Sequence, residues 1–281
     1  MEKITFSLPQ NSLSMVRTNN TIEGYVYDTL NSTNNQAWQL SQTDAQLPFF
    51  VIAKQQTAGK GQRGKVWVSD RGGLYLSLYL PLDLPVNSAH HLTLLTAVGI
   101  VQQLRKNQIE AQIKWLNDLI LHGKKLGGIL CETKIKNSKI HQAVIGVGIN
   151  YQNSTIHTGV NLASNLDDRN DRNLNLLDYH QPINLYNMVV EGILNSYHEY
   201  LTIGVEKIVN DYNQLLYNLH DTVTIKENKG RIDGCDSQGN LKLKISSGNA
   251  SSKVKLSPEK YRISYQKINN HYLITEIENN M

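Results

Sequence analysis

Short apolar runs separated by polar and glycine-containing turns dominate the first 150 positions, and a helical period surfaces only in places. Residues 20–30 read as a strand around Tyr25, Val26 and Tyr27. Ser32 or Thr33 then offers a hydroxyl to cap free N–H groups, so a short helix starts there and runs through Leu40. Phe49 to Ala53 is an unbroken apolar run, a buried strand, and Leu74 to Leu80 is another that ends at Pro81. Leu92, Leu95, Val98, Val101 and Leu104 recur every three or four residues and predict a helix over 91–105. Gln112–Trp115 and Leu119–Leu121 are two strands joined by a turn at Leu116-Asn117-Asp118. Leu126–Glu132 and His141–Asn150 add two more. Residues 151–181 are polar and irregular, with Asp167, Asp168 and Asp171, and two amphipathic helices follow at 185–201 and 205–216. Beyond Leu219 come short alternating runs at 222–225, 231–232, 241–245 and 253–256, broken by turn residues such as Asp236-Ser237-Gln238-Gly239-Asn240. That spacing predicts a small barrel-like β domain, giving two units, 1–217 and 218–281.

Composition narrows the class. Hydrophobic residues make up 40% and charged residues 19%, ordinary globular usage that excludes a largely disordered chain. No apolar run reaches the roughly 18–20 residues that a membrane span needs. The first 20 residues carry no secretory pattern, and Cys131 and Cys235 are too few for a disulfide scaffold. A reducing, cytoplasmic setting is expected. The net charge of +4 is modest but concentrated. Lys54, Lys60, Arg63, Lys65 and Arg71 stand against Asp70 alone, an excess equal to that of the whole chain. This segment is either a solvated loop or a site for an anion.

The same segment reads Gly59-Lys60-Gly61-Gln62-Arg63-Gly64 and fits both G-x-G-x-x-G and G-x-x-x-x-G-K. Both motifs require a helix whose N-terminus meets phosphate. Val66-Trp67-Val68 is β-forming instead, and Val66 stands where a P-loop needs Ser or Thr. Rossmann and Walker readings are therefore excluded. What remains is a glycine-softened cationic loop with exposed N–H groups, and Trp67 to stack a base, or else an ordinary turn. Asp118, in Lys114-Trp115-Leu116-Asn117-Asp118, is a candidate Mg²⁺ ligand or general base, or simply a turn residue. Lys125 is either a solvated strand-end lysine or a point charge that holds a carboxylate. In Gly146-Val147-Gly148-Ile149-Asn150, strand glycines permit close approach of a ligand, and Asn150 could read an adenine edge or end the strand.

Together these segments resemble the biotin–protein ligase family. Ser32-Thr33-Asn34 resembles its S-T-N biotin pocket, and Gln55 to Trp67 its Q-T-A-G-R-G-R-x-G-R-x-W loop. Gly73–Ser77 resembles its core strand, Lys114–Asp118 its K-W-P-N-D, Lys125–Leu130 its K-L-[AG]-G-I-L, and Gly146–Asn150 its G-x-G-I-N. The six occur in the family's order, and the resemblance as a whole covers roughly residues 20–220. Three departures stand out: Gln62 replaces an arginine that contacts the adenylate, Leu116 replaces proline, and no N-terminal helix-turn-helix is expected.

The resemblance implies an α+β fold: a mixed, largely antiparallel sheet with flanking helices, of class II synthetase-like biotin/lipoate ligase type, plus a C-terminal SH3-like barrel. It implies an enzyme that joins biotin to ATP, with Mg²⁺, and passes the biotinyl group from biotinyl-AMP to a lysine of a biotin carboxyl carrier protein such as that of acetyl-CoA carboxylase. Lys125 and Asp118 would be catalytic. Ser32, Thr33, Asn34, Gln56, Lys60, Gly61, Gln62, Lys125 and Gly128 would bind biotin. Gly59, Lys60, Arg63, Lys65, Trp67, Asn117 and Asn150 would bind the nucleotide, and Asp118 the metal. Exposed sheet edges allow a homodimer; neither DNA nor membrane is an expected partner. The alternatives are a lipoate–protein ligase or related acyltransferase, which the cationic loop and Trp67 disfavour, and a nucleic-acid-binding protein, which scarce aromatics disfavour. A metalloenzyme built on His90-His91 lacks spaced partners.

Overall fold

The computed structural model describes residues 1–8, 21–43, 47–155, 159–167, 183–247 and 250–277. Fourteen strands and five α-helices follow in chain order among them. The first unit runs β1 (Glu2–Ser7), β2 (Thr21–Leu30), α1 (Thr33–Leu40), β3 (Phe49–Gln56), β4 (Leu74–Pro85), α2 (Ala89–Lys106), β5 (Gln112–Lys114), β6 (Asp118–Leu121), β7 (Lys124–Lys136), β8 (Lys139–Ile149), α3 (Leu162–Asp167), α4 (Ile183–Ile203) and α5 (Val205–Gln214). Its eight strands form one sheet in the order β1-β2-β3-β4-β8-β7-β6-β5. Every neighbouring pair is antiparallel except β2 and β3, which run parallel with α1 as their crossover. The mixed sheet expected from the sequence is thus present.

Helices cover both faces, which explains the unbroken apolar strands. On β3, Phe49 and Val51 pack with Ala37 of α1, Tyr79 and Val144 on one side. Phe50 and Ile52 point the other way, into the larger core that takes in Leu92, Leu95, Val98 and Val101 of α2 and Val189 and Ile193 of α4. A continuous run buries alternate residues in two different cores, so it carries no period of two.

The remaining strands are β9 (Thr222–Ile225), β10 (Asn228–Cys235), β11 (Leu241–Ser247), β12 (Ala250–Leu256), β13 (Tyr261–Ile268) and β14 (His271–Glu276). They form a second sheet ordered β12-β11-β10-β9-β14-β13, in which β14 pairs with β9 in parallel. It matches the expected small SH3-like β unit. The chain before it is stitched to the first sheet: the Ile113 amide donates to Leu215 at 2.9 Å, and the Tyr217 amide to Ile113 at 2.7 Å.

Four elements escape the sequence pattern: β1, α3, β13 and β14. One strand is longer than expected. β4 does not end at Pro81 but continues to Pro85, paired with β8 across a register shift between Pro81 and Leu84. Pairing of β4 with β3 ends at Tyr79, so one edge of β4 is already free where Pro81 brings no N–H. Within the stretch expected to be irregular, the Val160 amide donates to the Lys125 carbonyl at the start of β7 at 2.9 Å. Asp168 and Asp171 lie outside the described residues. No described helix is long and apolar enough to cross a membrane.

Candidate active site

Two clefts meet at the end of the first sheet where β7 and β8 lie side by side. The smaller is about 490 Å³, and its wall includes Ser32, Thr33, Asn34, Gln56, Lys60, Gln62, Trp67, Lys125 and the glycines of β7 and β8. Its polar wall is the N-terminus of α1. Ser32, Thr33 and Asn34 are all buried there. The Thr33 amide donates to Gln56 Oε1 at 2.8 Å, and Gln56 Nε2 donates on to Ser69 at 2.8 Å. Ser77 of β4 donates within reach of Thr33 Oγ1 and Asn34 Oδ1, at 2.8 and 2.6 Å. Asn34 Nδ2 donates to Glu132 Oε2 at 3.0 Å, an oxygen that also accepts the Trp38 indole N–H at 3.0 Å.

The glycines of the strands leave the space these groups use. Gly146 is the register partner of Ser77, and a Cβ there would lie 2.3 Å from Asn34 Oδ1. Gly128 and Gly148 face one another across β7 and β8 and make a patch without side chains. The Trp67 indole lies on it: a Cβ at 148 would come within 2.6 Å of its ring nitrogen. That nitrogen is buried and has no hydrogen-bond partner.

Trp67 arrives from the glycine-rich loop, which forms a small hairpin rather than a helix. Lys60 and Val66 bridge across it, and Arg63 and Gly64 turn the chain with φ of 57° and 70°. Lys60 reaches Glu132 at 3.5 Å, so the hairpin is tied to β7. Arg63 instead donates to the Pro258 carbonyl of the second unit.

The larger cleft, about 860 Å³, lies between the hairpin, the turn before β6 and the second sheet. Its wall carries Arg63, Lys65, Lys114, Lys125 and Arg262 but a single acid, Asp118. Lys125 Nζ is 2.6 Å from Asp118 Oδ1. Tyr265 of β13 donates to Asp118 Oδ2, and Lys114 Nζ stands 3.9 Å from the same oxygen. Burial, opposed only in part by Asp118, holds the Lys114 ammonium down to about 8. Lys125 also lies 5.1 Å from the centroid of the Trp67 ring. Lys125, Asn117, Gln62, Gly61 and Trp67 line both clefts, so Lys125 stands at their junction.

Both oxygens of Asp118 therefore already face cationic or hydroxyl donors. Mg²⁺ asks for carboxylate and water oxygens in an open octahedral arrangement, and this donor set does not fit it. No group of three or more His, Cys, Asp or Glu converges elsewhere among the described residues. The expectation that Asp118 holds a metal is set aside on this ground.

Most of the expected site residues are brought together. Asn150 is not among those lining either cleft. Its amide group reaches the Lys125 carbonyl at 3.5 Å and accepts from Asn153 at 3.2 Å, behind the start of β7. Asn117 lines both clefts, but its Nδ2 donates to the Ile129 carbonyl at 2.8 Å and so fixes the turn to β7. Gly59 lies under the hairpin, where a Cβ would meet the Trp67 carbonyl at 2.3 Å. Sequence reasoning gave no role to Glu132, Ser77, Trp38, Arg262 or Tyr265. The first two stood inside segments already marked as strands, where a polar residue in an apolar run was the available signal.

Residues 25–150 match the biotin/lipoate A/B protein ligase family. The chain is 40% identical over 126 residues to the bifunctional ligase/repressor BirA of Bacillus subtilis (strain 168), covering 44% of this chain and 39% of the relative. It is 30% identical over 122 residues to the biotin--[acetyl-CoA-carboxylase] ligase of Paracoccus denitrificans, covering 42% of this chain and 50% of the relative. These alignments span half or less of each relative's length. Among solved structures, the biotin protein ligase from Aquifex aeolicus in complex with biotin and ATP is similar with a TM-score of 0.63 at 18% identity, over 90% of this chain and 99% of that one. The biotin protein ligase from Leishmania major in complex with biotin gives 0.58 at 20% identity, over 84% and 98%. At such identities the likeness shows a shared fold.

Proposed function

We propose that this chain, which carries a biotin/lipoate A/B protein ligase domain at residues 25–150, is an ATP-dependent biotin–protein ligase. Its units would be a catalytic one at 1–217 and an SH3-like one at 218–281. The observation that carries the reading is the junction at Lys125: a small cleft walled by the polar N-terminus of α1, strand glycines and the two cations Lys60 and Lys125 opens there into a larger, more strongly cationic one. The first suits the ring system of a small acid and the second a polyphosphate, so the acid's carboxylate and the α-phosphate would meet beside one ammonium.

In the first step the biotin carboxylate attacks the α-phosphorus of ATP, and pyrophosphate leaves with the electron pair of the broken P–O bond. Two anions must approach, and repulsion between them is the obstacle. Lys125 offsets it at the reacting atoms, and Lys65, Lys114 and Arg262 offset it along the phosphate tail. Asn34, Thr33 and Gln56 hold the ureido ring, and Lys60 closes the hairpin against Glu132. Trp67 gives up its place on Gly128 and Gly148, or stacks against the ligand, and keeps water from the mixed anhydride.

In the second step the amine of an acceptor lysine attacks the acyl carbon and AMP leaves. A free lysine ammonium has a pKa of about 10.4, so its proton must be taken up. Asp118, the single acid lining the larger cleft and paired through Oδ1 with Lys125 in the resting site, takes that role. The acceptor is a lysine on a carboxyl carrier domain. With both of its oxygens taken by Lys125 and Tyr265, the Asp118 carboxylate would not hold a Mg²⁺ that accompanied ATP.

A thermal-shift panel with biotin, lipoate and octanoate tests the substrate. Biotin alone should raise the melting temperature, and the other two acids should leave it unchanged. A rise with lipoate or octanoate and none with biotin would overturn the reading.

A further inference from the structure

We infer that Tyr265, on β13 of the second sheet, is a positioning residue for the Asp118–Lys125 pair, so that the reacting centre is completed by the C-terminal unit. The inference rests on the ligase reading and adds to it a residue 147 positions away from the carboxylate it holds. Three observations carry it.

First, the two oxygens of Asp118 are divided. Tyr265 donates its O–H to Oδ2, and Lys125 takes Oδ1 at 2.6 Å. The Asp118 side chain is only 13% exposed, so water does not readily replace either partner. The terminal torsion of an aspartate is broad and two-fold. A phenol fixed on one oxygen removes that freedom and aims the other at Lys125.

Second, the tyrosine is itself aimed. The β13–β14 register shifts between Ile263 and Lys267, and Tyr265 lies within that irregularity. Ser264 supports the bulge: its hydroxyl accepts the Leu273 amide at 2.9 Å and donates to the Gln266 carbonyl at 2.8 Å. Bulges re-aim a side chain out of the alternation of a strand.

Third, the ring is clamped by charge. Lys114 Nζ sits 4.1 Å from its centroid and Lys125 Nζ 5.8 Å. Both ammonium groups prefer the face of an aromatic ring to an apolar wall. Burial and the Asp118 charge raise the phenol far above its usual range, so it remains a donor at working pH.

Tyr265→Phe removes the hydroxyl and keeps the ring. A hydrogen bond to a charged group is worth enough that kcat for biotin-dependent ATP–pyrophosphate exchange should fall about tenfold. The KM for biotin should stay within about twofold, because the α1 wall of the cleft is untouched. If Tyr265 acts through Asp118, Tyr265→Phe added to Asp118→Asn costs nothing beyond Asp118→Asn alone. A kcat for Tyr265→Phe within about twofold of the wild type, or losses that multiply in the double variant, would overturn the inference. Absence of biotin-dependent exchange in the wild type would instead overturn the ligase reading on which it stands.

Discussion

Truncating Glu132 to alanine should both destabilise the protein and loosen its small cleft. This carboxylate joins three segments: Oε2 accepts from Asn34 and Trp38 of α1 at 3.0 Å each, and Oε1 pairs with Lys60 of the hairpin at 3.5 Å. The three losses differ in size. Asn34 is 3% exposed, so its amide forfeits a charge-assisted bond that water cannot replace, about 1.5–3 kcal/mol. Trp38 is half-buried and can turn its N–H toward solvent, which limits that loss to about 1 kcal/mol. Lys60 is 40% exposed and its pair is long, so it contributes about 0–1 kcal/mol. The total is about 2.5–5 kcal/mol. For a chain of this size each kcal/mol moves the melting temperature by about 2–4 °C, so Glu132→Ala should melt roughly 5–20 °C lower. Glu132→Gln keeps one acceptor oxygen and should lose about a third of that. Differential scanning calorimetry of the three proteins, with and without saturating biotin, reads both effects. The increment that biotin adds to the melting temperature should shrink in Glu132→Ala, because Asn34 no longer has a fixed place in the cleft wall. A Glu132→Ala protein that melts within about 1 °C of the wild type would refute this division of energies among the three contacts.

Lys125→Met preserves the length of the side chain and removes its charge; biotin-dependent ATP–pyrophosphate exchange should fall by about 10²–10³, and near-normal exchange in a folded variant would remove Lys125 from the reacting centre. Gln62, which lines both clefts, stands where the resemblance leads one to expect an arginine, and Gln62→Arg should slow release of free biotinyl-AMP about tenfold; unchanged release would mean that another cation already holds the intermediate. Lys114 tests the buried charge through pH. Its ammonium is held down to about 8, whereas in the unfolded chain it titrates near 10.4. Below the lower value both states are protonated and the burial cost is present in full. Between the two values only the unfolded chain binds the proton, so stability rises with pH. Urea unfolding of wild type and Lys114→Met should therefore differ by about 1–2 kcal/mol more in favour of the wild type at pH 9.5 than at pH 7, and a difference independent of pH would contradict the burial argument.

What the sequence made legible follows the range over which each signal acts. The start of α1 at Thr33, the strand at Phe49–Ala53, the α2 period and the hairpin in place of a phosphate-binding helix all depend on neighbours within a few residues, although the hydroxyl cap expected at α1 does not form, because the Ser32 side chain makes no capping hydrogen bond. Propensity and spacing report on such contacts directly. The residues gathered in the small cleft were legible for a second reason: each sits in a compact motif whose glycines and polar groups are themselves the signal. Glu132 and Tyr265 have no such signature. Their partners lie 98 and 147 residues away, and the polarity of Glu132 within an apolar run names no partner. Strand β1 was hidden in a stretch with only Ile4 and Phe6 alternating. Strands β13 and β14 carry alternation in Tyr261, Ile263, Tyr272 and Ile274, but the bulge that aims Tyr265 breaks its period. Asp118 illustrates the converse. As an isolated acid beside an asparagine it suggests a metal ligand, and only three-dimensional packing reveals the two lysines and the phenol that already claim its oxygens.

Co-crystallisation of the protein with biotin and ATP addresses the junction itself. Density for biotinyl-AMP should fill both clefts, with the ureido ring beside Thr33 and Asn34 and the acyl-phosphate linkage within about 3 Å of Lys125 Nζ. Vitamin and nucleotide bound apart, or a linkage that Lys125 does not reach, would contradict the account.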